Sequence, residues 1–311
     1  MIGRWRGNAL AAAVGLAADA LLGDPPDRAH PVAWFGTAMT ALEQRMWSDS
    51  RRRGALYAAV GVGAAAVTGV AVRSTAAATG VSVAGRMLGH VAMGVSSPLS
   101  AGDLDGARRQ LPALVGRRAS GLDAAEVARA TIESVAENTV DAVVAPLCWA
   151  VLGGAPGVLA YRAVNTLDAM VGHRTQRYER FGWASARLDD IVNWLPARLT
   201  ALLVVIARPL SAKEVIRVVR RDAGAHPSPN SGVAEAAFAA ALGIRLGGVN
   251  RYADRAEDRV EDRVEDRGTL GDGRCAAAPD IAASVRLLRD VRLLAAVLLV
   301  LATLVPRCRR A

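Results

Sequence analysis

Lysine is almost missing from this 311-residue chain: Lys213 is the only one, and arginine carries nearly all the positive charge behind a formal net +9. Arg-rich, Lys-poor, Ala- and Gly-rich usage is what mutational bias produces in a high-GC bacterial genome. The basic balance alone therefore names no partner, although it would favour anionic lipid headgroups or phosphorylated substrates. Nucleic acid is not expected as a partner, because the basic residues are dispersed and no aromatic-basic module or zinc-knuckle spacing occurs. Aromatic residues are scarce, 4% against 52% hydrophobic, so the apolar content is mostly Ala, Val and Leu. With a mean hydropathy of +0.23, that is a membrane-like balance. Cysteine is limited to Cys148, Cys275 and Cys308, which lack metal-ligand spacing and any obvious pairing. This argues against a disulfide framework and against a zinc site. A Gly-x-x-x-x-Gly-Lys loop is also missing, so no nucleotide site is located by motif.

Long apolar runs are present. Gly54 to Val72 and Ala142 to Tyr161 are uncharged and close to the roughly 20 residues that a spanning helix needs. Weaker candidates are Asn8 to Gly23, interrupted by Asp19; Leu293 to Val305, which is short; Leu195 to Ala207, interrupted by Arg198; and Val233 to Leu246, interrupted by Glu235 and Arg245. The reading is an all-α, polytopic integral membrane protein with roughly four to six membrane-associated helices. Residues 1–311 would form one membrane-embedded domain, multi-pass in a bacterial plasma membrane and surrounded by lipid. Charge counting gives no clean orientation, because Arg4 and Arg6 precede the first apolar segment while Arg51 to Arg53 precede the second. The N-terminal run is read as an uncleaved first helix, since Asp19 interrupts it and Gly23-Asp24-Pro25-Pro26 is a poor cleavage site.

Two polar stretches interrupt this pattern. In the first, Asp123 can cap a helix with Glu126 completing a capping box. The second, about 254–280, holds an Ala-Glu-Asp-Arg, Val-Glu-Asp-Arg, Val-Glu-Asp-Arg repeat ending at Arg267. Its alternating charges suit a solvated helix or linker.

The chemistry concentrates between Glu133 and Arg198. Ionisable groups near hydrocarbon are expensive and usually serve a charged substrate, an ion or each other. Glu133, Glu137 and Asp141 are spaced to form one acidic stripe on a helix, with Asn138 beside it. A divalent cation or arginines would neutralise such a stripe; the alternative is a solvent-facing helix end paired to Arg129 or Arg162. Asp189, Asp190 and Asn193 form a second cluster, and Asn165 with Asp168 a third polar pair. Oxygen ligands of this kind suit magnesium. Arg174, Arg187 and Arg198 supply planar forks matched to phosphate or carboxylate. Further on, His226-Pro227-Ser228-Pro229-Asn230 reads as a turn in which Asn230 or Ser231 caps a helix beginning near Val233. Such a helix start makes an anion site, the alternative being an ordinary capped turn.

Several ordered stretches together resemble a known family. They are Gly23-Asp24-Pro25-Pro26 with His30-Pro31-Val32, then Glu133-Ser-Val-Ala-Glu-Asn138-Thr, then Ala163-Val-Asn165-Thr-Leu-Asp168. Phe181-Gly-Trp-Ala-Ser-Ala-Arg187-Leu-Asp-Asp190, Asn193-Trp-Leu-Pro-Ala-Arg198 and His226-Pro-Ser-Pro-Asn230 follow. In this order, from about Leu16 to Leu288, they resemble the CobD/CbiB family of cobalamin biosynthesis, adenosylcobinamide-phosphate synthase. The pattern is least well kept at Gly248-Val-Asn-Arg-Tyr252 and through the repeat, where the family would place a loop richer in proline and glycine.

The resemblance implies an integral membrane ligase. It would join aminopropanol or its O-phosphate to the free propionate of adenosylcobyric acid as an amide, consuming ATP with magnesium. Other corrinoid-pathway enzymes are further candidate partners. A carboxylate is a poor acyl donor, so it must be activated, most simply as an acyl phosphate, and that step calls for magnesium and arginines. On this reading Glu133, Glu137, Asp141, Asp189 and Asp190 are candidate metal groups, with Glu137, Asp190 and His226 catalytic. Asn138, Asn165, Asp168, Arg174, Arg187, Asn193, Arg198, Ser228 and Asn230 are candidates to bind substrate. His226 would serve as a general base for the amine or hold a phosphate. Two other classes use similar residues: a magnesium-dependent membrane prenyl- or phospho-transferase, and a transporter with intramembrane carboxylates.

Overall fold

The computed structural model describes residues 2–115, 119–173, 175–256 and 259–304. Along the chain run helices α1 (Ile2–Leu22), α2 (Pro31–Met46), α3 (Arg51–Val72), α4 (Thr75–Gly80), α5 (Gly85–Ser100), α6 (Leu104–Gln110) and α7 (Ala124–Thr139). They continue as α8 (Ala145–Val171), α9 (Trp183–Val192), α10 (Trp194–Ala207), α11 (Ala212–Asp222) and α12 (Ser231–Leu242). Strands β1 (Ile244–Ala256), β2 (Arg259–Leu270) and β3 (Arg274–Cys275) follow, and α13 (Ala278–Leu304) closes the series.

The all-α expectation is thus corrected to a mostly helical chain with a three-stranded sheet ordered β2-β1-β3. The described part of the repeat, from Arg259 to Arg267, is laid out as strand, not as helix or linker; Glu257 and Asp258 lie outside the described residues. β1 and β2 pair antiparallel from Leu246↔Leu270 to Ala256↔Arg259, with a register shift between Gly247 and Val249. Alternating charge at period four satisfies a two-stranded ribbon as readily as a helix, so pattern alone did not distinguish them.

Among the described residues two helices, Arg51–Val72 and Ala124–Val171, are long and apolar enough to cross a membrane, or three if α9 and α10 count as one broken span. This count, from length and composition, is lower than the four to six expected from the sequence. On α3, Leu56, Val60, Val67, Val70 and Val72 lie exposed, as a lipid-facing surface would.

Contacts divide the chain into two compact units where the sequence suggested one domain. Unit 1 comprises Met1–Arg86, Asp141–Asn193 and the stretch from Ala295, and unit 2 comprises Met87–Val140 and Trp194–Leu294. In unit 1, α8 packs against α1, α3, α4 and α9. A Cβ on Gly69 of α3 would lie 2.5 Å from Pro156 Cα, so only glycine permits this approach of two backbones, as between membrane helices. Met39, Tyr57, Leu167, Val171 and Phe181 form a buried cluster, with the Tyr57 and Phe181 rings 5.1 Å apart.

In unit 2, α12 packs against α7, α10, α11 and β1. Its Ala-rich sequence is buried from Ser231 to Ala240, because small side chains let neighbours close around it. The capping box at α7 forms as the sequence predicts: Asp123 accepts from the Glu126 N–H and Glu126 from the Asp123 N–H, both at 2.8 Å.

Candidate functional site

The sequence-predicted residues fall into two polar groups, one in each unit. Unit 2 holds Glu133, Glu137, Asn138, Arg198, His226, Ser228 and Asn230. Glu133, 3% exposed, accepts from Arg129 Nη1 at 3.0 Å and from the Gly247 N–H at 2.9 Å. Arg129 also donates to the Gly247 carbonyl. Gly247 has a φ of +77, and a Cβ there would run into the Gly268 carbonyl, so the two strands can close at the root of the hairpin only through glycine. The arginine pairing weighed as an alternative is therefore present for Glu133.

One helical turn on, Glu137 accepts from the Ser231 hydroxyl at 2.9 Å. Asn138 instead turns back on its own helix, donating to the Ser134 carbonyl at 2.9 Å. Ser231 opens α12, and Asn230 stands at the N-cap as the sequence predicts but makes no side-chain cap bond. Its Oδ1 accepts from Arg198 Nη1 at 2.8 Å. The capping work passes to Ser228, whose Oγ accepts from the N–H groups of Asn230 and Ser231 at 3.3 and 3.2 Å. A hydroxyl two residues upstream does this because the two prolines hold the turn extended.

His226 lies beneath this turn, 8% exposed. The Ser228 N–H donates to its Nδ1 at 3.0 Å. Burial, followed by the nearby Arg267 charge, pushes the imidazole below its ordinary pKa. The neutral ring then carries its proton on Nε2, which faces Glu235 Oε1 at 3.6 Å. Arg267 approaches the same carboxylate oxygen at 3.5 Å. Sequence reasoning missed both partners: Glu235 read as an interruption of an apolar run, and Arg267 as the end of a solvated repeat. A lone carboxylate inside Gly-Val-Ala-Glu-Ala-Ala-Phe was the available signal.

Unit 1 holds Asp141, Asn165, Asp168, Arg187, Asp189, Asp190 and Asn193. The acidic stripe does not run on to Asp141, because residues Val140–Val144 form a π-helical turn that shifts the α register. Asp141 Oδ2 accepts from Asn165 Nδ2 at 3.1 Å, and Asn165 Oδ1 from Arg162 Nη1 at 3.2 Å. Asn165 is thus tied to Asp141 and Arg162, and the pair predicted with Asp168 does not form the link. Asp168 Oδ1 sits against Gly172, whose N–H donates to the Asp168 carbonyl at 2.7 Å.

A second chain of bonds joins the remaining residues. The Tyr161 hydroxyl donates to Asn193 Oδ1 at 2.9 Å, and Asn193 Nδ2 donates to Asp189 Oδ2 at 3.0 Å. Arg187 pairs with Asp190 at 3.3 Å near the surface. Asp24 belongs to this unit and was not among the predicted site residues. Burial raises its pKa, against the opposing charges of His30 and Arg162. Arg174 lies outside the described residues. Among the described residues, no group of three or more His, Cys, Asp or Glu side chains is gathered as a metal cage.

The two acid-amide groups follow the order of the motifs along the chain, and comparison with known proteins places that order. A family model described as CobD/Cbib protein matches residues 12–288. The chain belongs to the CobD/CbiB family. The protein named "Cobalamin biosynthesis protein CobD" of Mycobacterium tuberculosis is 46% identical over 310 residues, covering 96% of both chains. A protein of the same name from Rhodobacter capsulatus is 48% identical over 242 residues, 73% of this chain and 76% of its own. That of Geobacter metallireducens is 47% identical over 254 residues, 75% of this chain and 80% of its own. No solved structure matches this CobD/CbiB chain. Membership and the names of these relatives support a role in cobalamin biosynthesis, as a biosynthetic enzyme.

Proposed function

We propose that this protein is a membrane-bound ligase that joins aminopropanol or its O-phosphate to the free propionate of adenosylcobyric acid, giving adenosylcobinamide or its phosphate. It works as a multi-pass protein of the bacterial plasma membrane. The observation that carries this reading is the juxtaposition in unit 2 of Glu137 with the His226 to Asn230 turn. Ser231 links the Glu137 carboxylate to the first turn of α12, while Arg198 is bonded to Asn230 at its cap. A carboxylate beside a cation-bearing turn matches a substrate that carries an ammonium and an oxyanion.

The reaction forms a C–N bond between the amine nitrogen and the propionate carbonyl carbon. The carboxylate oxygen must leave, which requires prior activation by phosphoryl transfer from ATP, and the amine must lose a proton. We assign Glu137 to orient the ammonium and receive that proton. His226 has a positioning part, since its Nδ1 is engaged by Ser228 and its side chain is 3% exposed. Arg198, held at the turn by Asn230, meets the oxyanion.

Magnesium fits the donor chemistry. The adjacent carboxylates of Asp189 and Asp190 offer hard oxygens, and magnesium takes one or two carboxylates when water and phosphate complete its shell. These two residues would hold the ion, which would supply neutralisation of phosphate charge when bound. Incubating purified protein with adenosylcobyric acid, aminopropanol phosphate, ATP and magnesium tests the reading. A corrinoid product with the amide-linked mass is expected, and its absence under conditions where the protein is folded overturns the assignment.

A further inference from the structure

Glu235 is the only charged residue in α12 and is fully buried there. An ionised carboxylate in that setting is costly unless cations compensate it. Its Oε1 faces His226 Nε2 at 3.6 Å, from the turn before the helix, and Arg267 Nη1 at 3.5 Å, from strand β2. The root of the hairpin is pinned independently. Gly247 of β1 is bonded to Glu133, and a Cβ on Gly268 would meet the Ala225 side chain at 2.7 Å. Arg267 is thereby held beside the His226 turn, with its Nε buried and its side chain as a whole 18% exposed.

We infer that Glu235 is a positioning residue that holds Arg267 at the His226 turn, and that Arg267 binds an oxyanion of the substrate, phosphate or carboxylate. The inference rests on the function proposed above and deepens it. Arginine suits this part because its planar fork carries five N–H donors and can serve more than one acceptor at once. A purely structural ion pair would give the same burial. It would not give selectivity between substrates.

Steady-state kinetics on the purified full-length protein in detergent separate the two. Glu235→Gln and Arg267→Gln should each raise the KM of the oxyanion-bearing substrate by at least about tenfold, with a much smaller change in kcat. If Glu235 acts through Arg267, the double variant should be no worse than Arg267→Gln alone. A rise for aminopropanol phosphate but not for aminopropanol assigns the phosphate, and a rise for adenosylcobyric acid assigns the carboxylate. Unchanged KM for all three, or effects that multiply in the double variant, overturns the inference.

Should Glu235→Gln fail to fold, Arg267→Lys, altered on the strand, keeps the charge but not the fork. It should still raise the same KM, and an unchanged value overturns the proposal. If wild-type protein makes no amide product, the function proposed above fails on its own. Inorganic phosphate then tests Arg267 directly: a phosphate-dependent rise in thermal midpoint that Arg267→Gln loses supports the site, and equal rises overturn it.

Discussion

The Ser231 hydroxyl donates to Glu137 Oε1 at 2.9 Å across 94 positions of chain. The bond ties the last turns of α7 to the first residue of α12. One oxygen of the carboxylate is thus fixed by the protein, and its direction is set before any substrate arrives.

Glu137→Gln retains an acceptor for Ser231 and removes the charge. Turnover should fall by at least about tenfold with folding intact, since the substitution removes a charge used in the transition state. Asp190→Asn should do the same. Circular dichroism and initial rates at several magnesium concentrations check this, and unchanged rates in both variants would make these acids structural.

His226→Ala removes the ring that receives the Ser228 N–H. Weakening the turn should raise the KM of aminopropanol phosphate well beyond that of aminopropanol, because the turn positions Arg198 through Asn230 and only the phosphate carries the charge that Arg198 recognises. A role confined to capping instead predicts about 0.5 to 2 kcal/mol of lost stability and equal effects on both amines.

High-salt and carbonate washing should leave the protein with the membrane fraction, because Arg51–Val72 and Ala124–Val171 can each span hydrocarbon. Immunoblots of pellet and supernatant read the result, and release by carbonate would exclude integral insertion.

Acid should destabilise unit 2 through three carboxylates, Asp222, Asp280 and Asp272. The Arg221 bond, followed by the Gly271 N–H, holds Asp222 below its usual pKa; Arg274 and the Ala277 N–H do the same for Asp280. Exposed Asp272, paired to Arg221 and Arg217, is lowered to about 2. A depressed folded pKa gives stability that is complete above the unfolded value, about 3.9 for Asp, and is lost as pH falls through the folded one. Thermal midpoints should therefore decline gently below about pH 6.5, where the unfolded His226 takes up a proton that its buried ring resists, and drop steeply below about pH 4. Asp222→Asn and Asp280→Asn should each flatten that drop. The Asp272 share should shrink with added salt.

Gly69→Val should destabilise unit 1 by about 1 to 3 kcal/mol or more, since the added side chain meets the Pro156 backbone. A lowered thermal midpoint in detergent is the readout, whereas Gly63→Ala, with nothing within 4 Å of the added Cβ, should leave it nearly unchanged.

Much of this was legible in sequence because the signals are local. The Asp123 capping box, the Gly54 to Val72 run and the His226 turn each depend on neighbours within a few residues. The stripe from Glu133 to Asp141 misled because spacing cannot show a π-helical turn. Asn230 was placed correctly at its cap and still bonds elsewhere, since Arg198 outcompetes the helix N–H groups for its oxygen. Glu235 and Arg267 were hidden for a different reason: their significance exists only where the hairpin returns to α12, a pairing of distant residues that no window of sequence contains.

The hairpin also sets what sequence drift can do to this chain. Its repeat has a period of four, an even number, so losing or gaining a whole Val-Glu-Asp-Arg unit preserves which face each strand residue occupies. The contacts that fix its base, Gly247 on Glu133 and Arg267 on Glu235, lie at its two roots. Losing or gaining one such unit would therefore shorten or lengthen the arm while its attachment stays put.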